Sequence, residues 1–180
     1  MNTHTINTYF FNELNDTAKK TALNDHRYFL GNYGWWEDTI LDAKLSFGIN
    51  INSFELERGR YINIEFSDNL ENIAKEIIAQ FGDNTALNKD AHCYLESRQK
   101  TYAEAEKDEN GDVLDSELLE EQLDENDNVF KDDIRQFYLN NLEQEFEWLI
   151  SDECIGDHLE GMEYEFLENG KRFKYNKQLN

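Results

Sequence analysis

The sequence predicts an α+β protein: a small antiparallel sheet, several helices and an acidic helical segment. Three observations predict it. Residues 49–56 with 61–66, and residues 163–167 with 172–175, alternate apolar and polar on either side of a turn-forming stretch, the pattern of a β-hairpin. Elsewhere apolar residues recur at helical spacing, most regularly at Phe130, Ile134, Phe137, Tyr138, Leu142, Phe146 and Leu149. Charge is segregated. Residues 104–168 hold 24 Asp and Glu against Lys107, Lys131 and Arg135, a net charge of −21 out of −22 for all 180 residues. The rest has 15 acids and 14 bases. The expected layout is one domain overall, with an α+β core over residues 1–103, an acidic helical segment over 104–160 and a C-terminal hairpin over 161–180 packing back on the core.

In order along the chain, residues 5–11 alternate enough for a first strand. Asn12 or Asn15 can cap a helix carrying Leu14, Ala18, Ala22 and Phe29, which the Gly31-Asn32-Tyr33-Gly34 stretch ends. Trp35-Trp36 opens a second helix that Gly48 closes. One Trp is expected in the core and the other as a plug between substructures. The 49–66 hairpin follows, turning at Glu57-Arg58-Gly59-Arg60. Ser67 or Asp68 caps a helix with Leu70, Ile73, Ala74, Ile77, Ile78 and Phe81, and another helix covers residues 85–107. Leu118, Leu119 and Leu123 mark a helix that Asp124–Asn128 should break, with Asp127 or Asn128 capping the next. A short helix starts at Ser151-Asp152-Glu153. Asn169-Gly170 between alternating segments predicts a type I′ hairpin turn.

Composition excludes several classes. Hydrophobic residues at 39% and aromatics at 13% supply a core, so the high charge does not mean disorder. No apolar run reaches 18 residues and residues 1–11 lack a basic leader, so neither a membrane span nor a signal peptide is expected. Bare nucleic acid and anionic membrane would be repelled. Cys93 and Cys154 are too few for a disulfide framework and read as two buried thiols in a reducing cytoplasm. There is no GxGxxG, P-loop, nucleophile elbow or paired CxxC. His4, His26, His92 and His158 are scattered singly. Asp108, Asn110 and Asp112 imitate a calcium loop, but its sixth position holds Val113 and its twelfth Leu119 where Gly and a bidentate Glu are needed. No enzyme activity, metal or cofactor is expected.

The acidic stretch itself points to a partner. A solvated helix normally places Lys four residues after Glu, which helps by about 0.2–0.5 kcal/mol per pair. No Lys or Arg lies between Asp108 and Asn128. Glu117/Glu121, Glu120/Asp124 and Glu121/Glu125 are instead like charges at i, i+4, each costing a similar amount. Such a helix approaches the charge spacing of a phosphate backbone. The expected partner-binding residues are Asp115, Glu117, Glu120, Glu121, Asp124, Glu125, Asp127, Asp132 and Asp133, with Trp148 as an apolar anchor. The expected partner is a basic nucleic-acid-binding protein. The sequence leaves the oligomeric state open.

Two blocks also resemble a family. Phe11-Asn12-Glu13-Leu14-Asn15-Asp16-Thr17-Ala18-Lys19-Lys20-Thr21-Ala22, followed by Trp35-Trp36-Glu37-Asp38, resembles the N-terminal signature of small acidic phage and prophage proteins, roughly Glu-Leu-x-Asp-x-Ala-Lys-x-x-Ala and then a Trp pair. Ser151-Asp152-Glu153, Glu163-Tyr164-Glu165-Phe166 and Asn169-Gly170-Lys171-Arg172 resemble their C-terminal end. Some of those proteins carry antitoxin-like labels. The resemblance implies a phage-encoded accessory protein acting in the host bacterial cytoplasm. Joined to the charge, it implies an inhibitor of a host defence complex, such as an anti-CRISPR protein that mimics DNA and blocks a CRISPR effector. The alternatives are an antitoxin that neutralises a basic toxin or nuclease, and a phage assembly or regulatory protein.

Overall fold

The two chain ends fold together, and the middle of the chain folds on itself. The computed structural model describes residues 5–111 and 113–174 and divides into a terminal unit, residues 1–35 with 144–180, and a central unit, residues 36–143. These units divide the chain at 35/36 and 143/144, elsewhere than the 103/104 and 160/161 divisions of the expected layout. The fold is α+β. Among the described residues the strands form two two-stranded antiparallel sheets where one was expected: residues 9–10 pair with 165–166, and the 49–66 hairpin pairs with itself.

In the terminal unit, β1 (Tyr9–Phe10) pairs with β4 (Glu165–Phe166) in the register Tyr9↔Phe166. β1 is shorter than the expected 5–11 strand. Phe11 turns inward at the start of a 3-10 turn, Phe11–Glu13, and the Glu13 carboxylate accepts the Phe10 N–H at 2.8 Å. Helix α1 (Asp16–His26) starts at Asn15, whose side chain accepts the Ala18 N–H. It stops short of Leu30. Helix α6 (Asp152–Gly161) starts at Ser151 in the same way. Phe11, Leu14, Ala18, Ala22, Leu23, Ile155, Leu159 and Phe166 are the buried core of this unit.

The Asn-Gly turn is not type I′. Only Gly170, at φ +81°, is left-handed there; Asn169 is not. Gly170 N–H donates to Leu167 O and Leu167 N–H to Lys171 O, a three-residue loop with glycine in the left-handed position. Phe166 bridges to Arg172; Tyr175 and the residues after it lie outside the described ones. The loop is fixed by α1. A Cβ on Gly170 would stand 2.0 Å from the Ala18 carbonyl oxygen, so the turn backbone rests directly on the helix at its small Ala18.

In the central unit, α2 (Glu37–Phe47) ends at Gly48, φ +66°, whose N–H reaches the Ala43 and Lys44 carbonyls. β2 (Ile49–Glu55) and β3 (Tyr61–Phe66) form the expected hairpin. Its register shifts between Ile51 and Ser53. The shift has a reason in the sequence: Ile49 and Ile51 point inward, the next apolar residue is Phe54, and one extra residue restores it to the buried side. Phe54 then packs 5.9 Å from Trp36, ring centre to ring centre. Helix α3 (Leu70–Gln80) is capped by Asn69 rather than Ser67 or Asp68. Helix α4 (Ala86–Glu104) is capped by Thr85. Buried Asn88 donates to the Ile78 and Phe81 carbonyls at 3.3 and 2.9 Å and so closes the end of α3.

Helix α5 runs unbroken from Ser116 to Leu149, 34 residues, with its part up to 143 in the central unit. The break expected at Asp124–Asn128 is absent. Asp and Asn are poor helix formers because their side chains compete for the local backbone. Here Asn126 and Asp127 are turned to α4 instead. Asn126 accepts from Ser97 Oγ at 2.7 Å and donates to Thr101 Oγ1 at 3.1 Å. Asp127 accepts from the Tyr94 hydroxyl at 2.8 Å and from Arg98 at 2.6 Å. Phe130, Ile134 and Tyr138 continue the same side of α5 into the core of α2, α3, α4 and the hairpin.

Candidate partner-binding surface

Asp115 precedes α5 and accepts the Leu118 N–H at 2.9 Å, so it caps the helix. Glu117, Glu120, Glu121, Asp124 and Glu125 are all exposed, and none is in an ion pair with a described residue. At 3.6 residues per turn the five fall within an arc of about 140° of the helix surface, and at a rise of 1.5 Å per residue they span about 12 Å. That is one charge per roughly 2–3 Å, against one per 3.4 Å along a single DNA strand and about 1.7 Å for the duplex.

The remaining expected residues differ from these five. Asp127 is turned inward to Tyr94 and Arg98. Asp132 lies within the same arc and is 75% exposed, but it is ion-paired to Arg135 at 2.6 Å. Trp148 is half exposed but belongs to the terminal unit. Asp133 is partly buried and lies at the mouth of a groove between α4 and α5. The periodicity showed where helices are, but not which acids turn toward a neighbouring helix.

That groove escaped the sequence reading. Its cavity is about 210 Å³ and is lined by Asp90, Cys93, Tyr94, Ser97, Asn126, Val129, Phe130 and Asp133. Burial holds the Asp90 carboxyl above its ordinary value. Burial does the same to Asp133, and the nearby charges of Asp90 and Asp132 push it further. A signal was present in the spacing: Asp90, Tyr94 and Arg98 are at successive i+4 positions, and so are Glu121, Glu125, Val129 and Asp133. The second row runs from the acidic face into the groove.

Cys93 is exposed beside the groove, which corrects the expectation of two buried thiols. Cys154 is partly buried; burial and then Asp157 and Glu153 push its thiol up. The two tryptophans separate as neighbours of different units. Trp35 packs 5.7 Å from Phe146 in the terminal unit, and Trp36 packs on Phe54 in the central one. Among the described residues no group of three or more His, Cys, Asp or Glu is placed to hold a metal ion, and no helix is long and apolar enough to cross a membrane. What the arrangement can do is bind: it offers a dense row of carboxylates with an apolar-walled groove on its flank. Comparison with known proteins gives no match to a family model, a curated protein or a solved structure.

Proposed function

We propose that this protein is an inhibitor that takes the place of a nucleic acid in the binding site of a basic protein, in the manner of phage proteins that block a host defence complex such as a CRISPR effector. One observation carries the reading: Glu117, Glu120, Glu121, Asp124 and Glu125 form a continuous exposed face with no cation among them. A face that only kept the protein soluble would gain from interleaved lysines, since like charges at i, i+4 cost a few tenths of a kcal/mol each. The arrangement gives up that stability and gains a potential that attracts and orients a basic surface. The α4–α5 bonds at Asn126 and Asp127 hold the face on a rigid helix, so little order has to be created on binding.

The test is competition. The protein is added to a guide-RNA effector complex and binding of labelled target DNA is followed by gel shift. The parent should displace the DNA. The variant Glu117→Lys, Glu120→Lys, Glu121→Lys, Asp124→Lys should lose that by well over tenfold while keeping its helical circular dichroism, because all four side chains are exposed. A folded variant that competes as well as the parent would sink the proposal. Capture of a small basic toxin in place of such a complex would assign the same face to toxin neutralisation.

A further inference from the structure

The polar groups between α4 and α5 are paired along one stretch of the seam and unpaired along the next. Arg98 lies between two carboxylates, 3.1 Å from Glu71 and 2.6 Å from Asp127. Its guanidinium stands 5.6 Å from the centre of the Tyr94 ring and 5.9 Å from that of Tyr102. Ser97, Thr101 and Asn126 satisfy one another beside it. Two turns nearer the start of α4 the same residue types recur without the cation. Asp90 and Asp133 line the 210 Å³ groove from opposite helices, and Tyr94 and Phe130 line it as a pair stacked at 4.4 Å and 12°. Neither carboxylate has a hydrogen bond or an ion pair with a described residue, and the charge of Asp90 raises the cost of ionising Asp133. Val129, 58% exposed, adds apolar surface at the rim.

We propose that this groove receives an arginine side chain of the basic partner, with the guanidinium between Asp90 and Asp133 beside the stacked Tyr94–Phe130 pair. The inference rests on the nucleic-acid-mimic reading and says what that surface selects. Three features support arginine. The seam already holds one guanidinium between carboxylates over tyrosine rings, at Arg98. A flat, weakly hydrated guanidinium loses less than a compact ammonium does on entering a partly desolvated carboxylate site. The cavity is smaller than the roughly 300–1,000 Å³ of small-molecule pockets and suits a single side chain. The row Glu121, Glu125, Val129, Asp133 makes the groove continuous with the acidic face, so a basic surface drawn to that face meets it directly.

Two peptides, hexa-arginine and hexa-lysine, test the idea by calorimetric titration at one ionic strength. They carry equal charge and differ in the chemistry of the cation. The unaltered protein should bind hexa-arginine roughly fivefold more tightly, about 1 kcal/mol. Asp90→Asn with Asp133→Asn should abolish the preference; its melting temperature should not fall, because the change removes two repelling charges. Glu121→Gln with Glu125→Gln should weaken both peptides alike and leave the ratio intact. In the unaltered protein, the carboxyl carbon signals of Asp90 and Asp133 should shift on titration with hexa-arginine and saturate. Equal affinity for the two peptides, a ratio that survives the Asp90/Asp133 change, or unmoved carboxyl signals would overturn the groove. Binding of neither peptide would overturn both readings. An arginine preference that depends on the groove pair, in a protein indifferent to the Glu121/Glu125 change, would keep the groove and reject the mimic face.

Discussion

Single residues carry the tightest constraints at the chain ends. Gly170 is required twice over: its φ of +81° is costly for any side chain, and a Cβ would meet the Ala18 carbonyl oxygen at 2.0 Å. Gly170→Ala should therefore destabilise the protein by roughly 2–4 kcal/mol, adding left-handed strain to a steric shift of the turn away from α1. Gly82→Ala is the matched control. Gly82 has no positive φ and nothing within 4 Å of an added Cβ, so its effect should stay within about 0.5 kcal/mol. Chemical denaturation of the two variants checks this, and a Gly170→Ala protein as stable as the control would mean that the turn does not rest on α1. Asn169, by contrast, is not left-handed, and its side chain accepts the Lys171 N–H at 3.1 Å. The Asn-Gly pair forms its hairpin by dividing the work between a side-chain bond and a glycine backbone.

At the scale of elements, α5 depends on α4. Its residues 124–128 are intrinsically weak helix, and bonds donated by Tyr94, Ser97 and Arg98, with one that Thr101 accepts from Asn126, keep them helical. The Arg98–Asp127 pair is largely sheltered, at 15% and 25% side-chain exposure, and removing Asp127 leaves Arg98 with Glu71 alone and the Tyr94 hydroxyl without its acceptor. Asp127→Ala should cost roughly 2–3 kcal/mol. Asp124→Ala, an exposed acid among like charges, should be neutral or slightly stabilising. Hydrogen exchange gives a second reading of the same claim. In the parent, amides 124–128 should be protected like their neighbours; in Asp127→Ala they should open. Equal stability of the two variants, or fast exchange at 124–128 in the parent, would mean that α4 does not hold this stretch.

For the whole molecule, charge and salt act in opposite senses on folding and on binding. A net charge of −21 within residues 104–168 repels itself, and screening shortens the reach of such repulsion from about 10 Å at 0.1 M salt to about 3 Å at 1 M. The melting temperature should rise between these concentrations. Affinity for a basic partner should fall over the same range, chiefly through a slower association rate, since steering acts on the encounter. Calorimetry and stopped-flow association measure the two. A partner whose affinity hardly changes with salt would bind through an apolar surface, and the acidic helix would then be a solubilising feature.

The sequence by itself determined the class of fold and the place of nearly every element. Helix starts were legible because Asn15, Thr85 and Ser151 cap them with side chains that need no distant partner. The 49–66 hairpin was legible because alternation and a short turn are local. The exposed carboxylates Glu117, Glu120, Glu121, Asp124 and Glu125 were legible because nothing nearby in the chain neutralises them. Tertiary structure alone decided the rest. Pairing of β1 with β4 joins residues more than 150 positions apart, and no local pattern encodes which strands meet. Asp127 and Asp124 are the same residue type on the same helix; which one turns to Arg98 and which one faces solvent depends on where α4 lies. Asp90 stands out nowhere in the sequence, and Asp133 only as one acid of a charged row. Packing α4 on α5 partly buries both in one groove and raises both carboxyls, and desolvation belongs to the packed surface rather than to the residue.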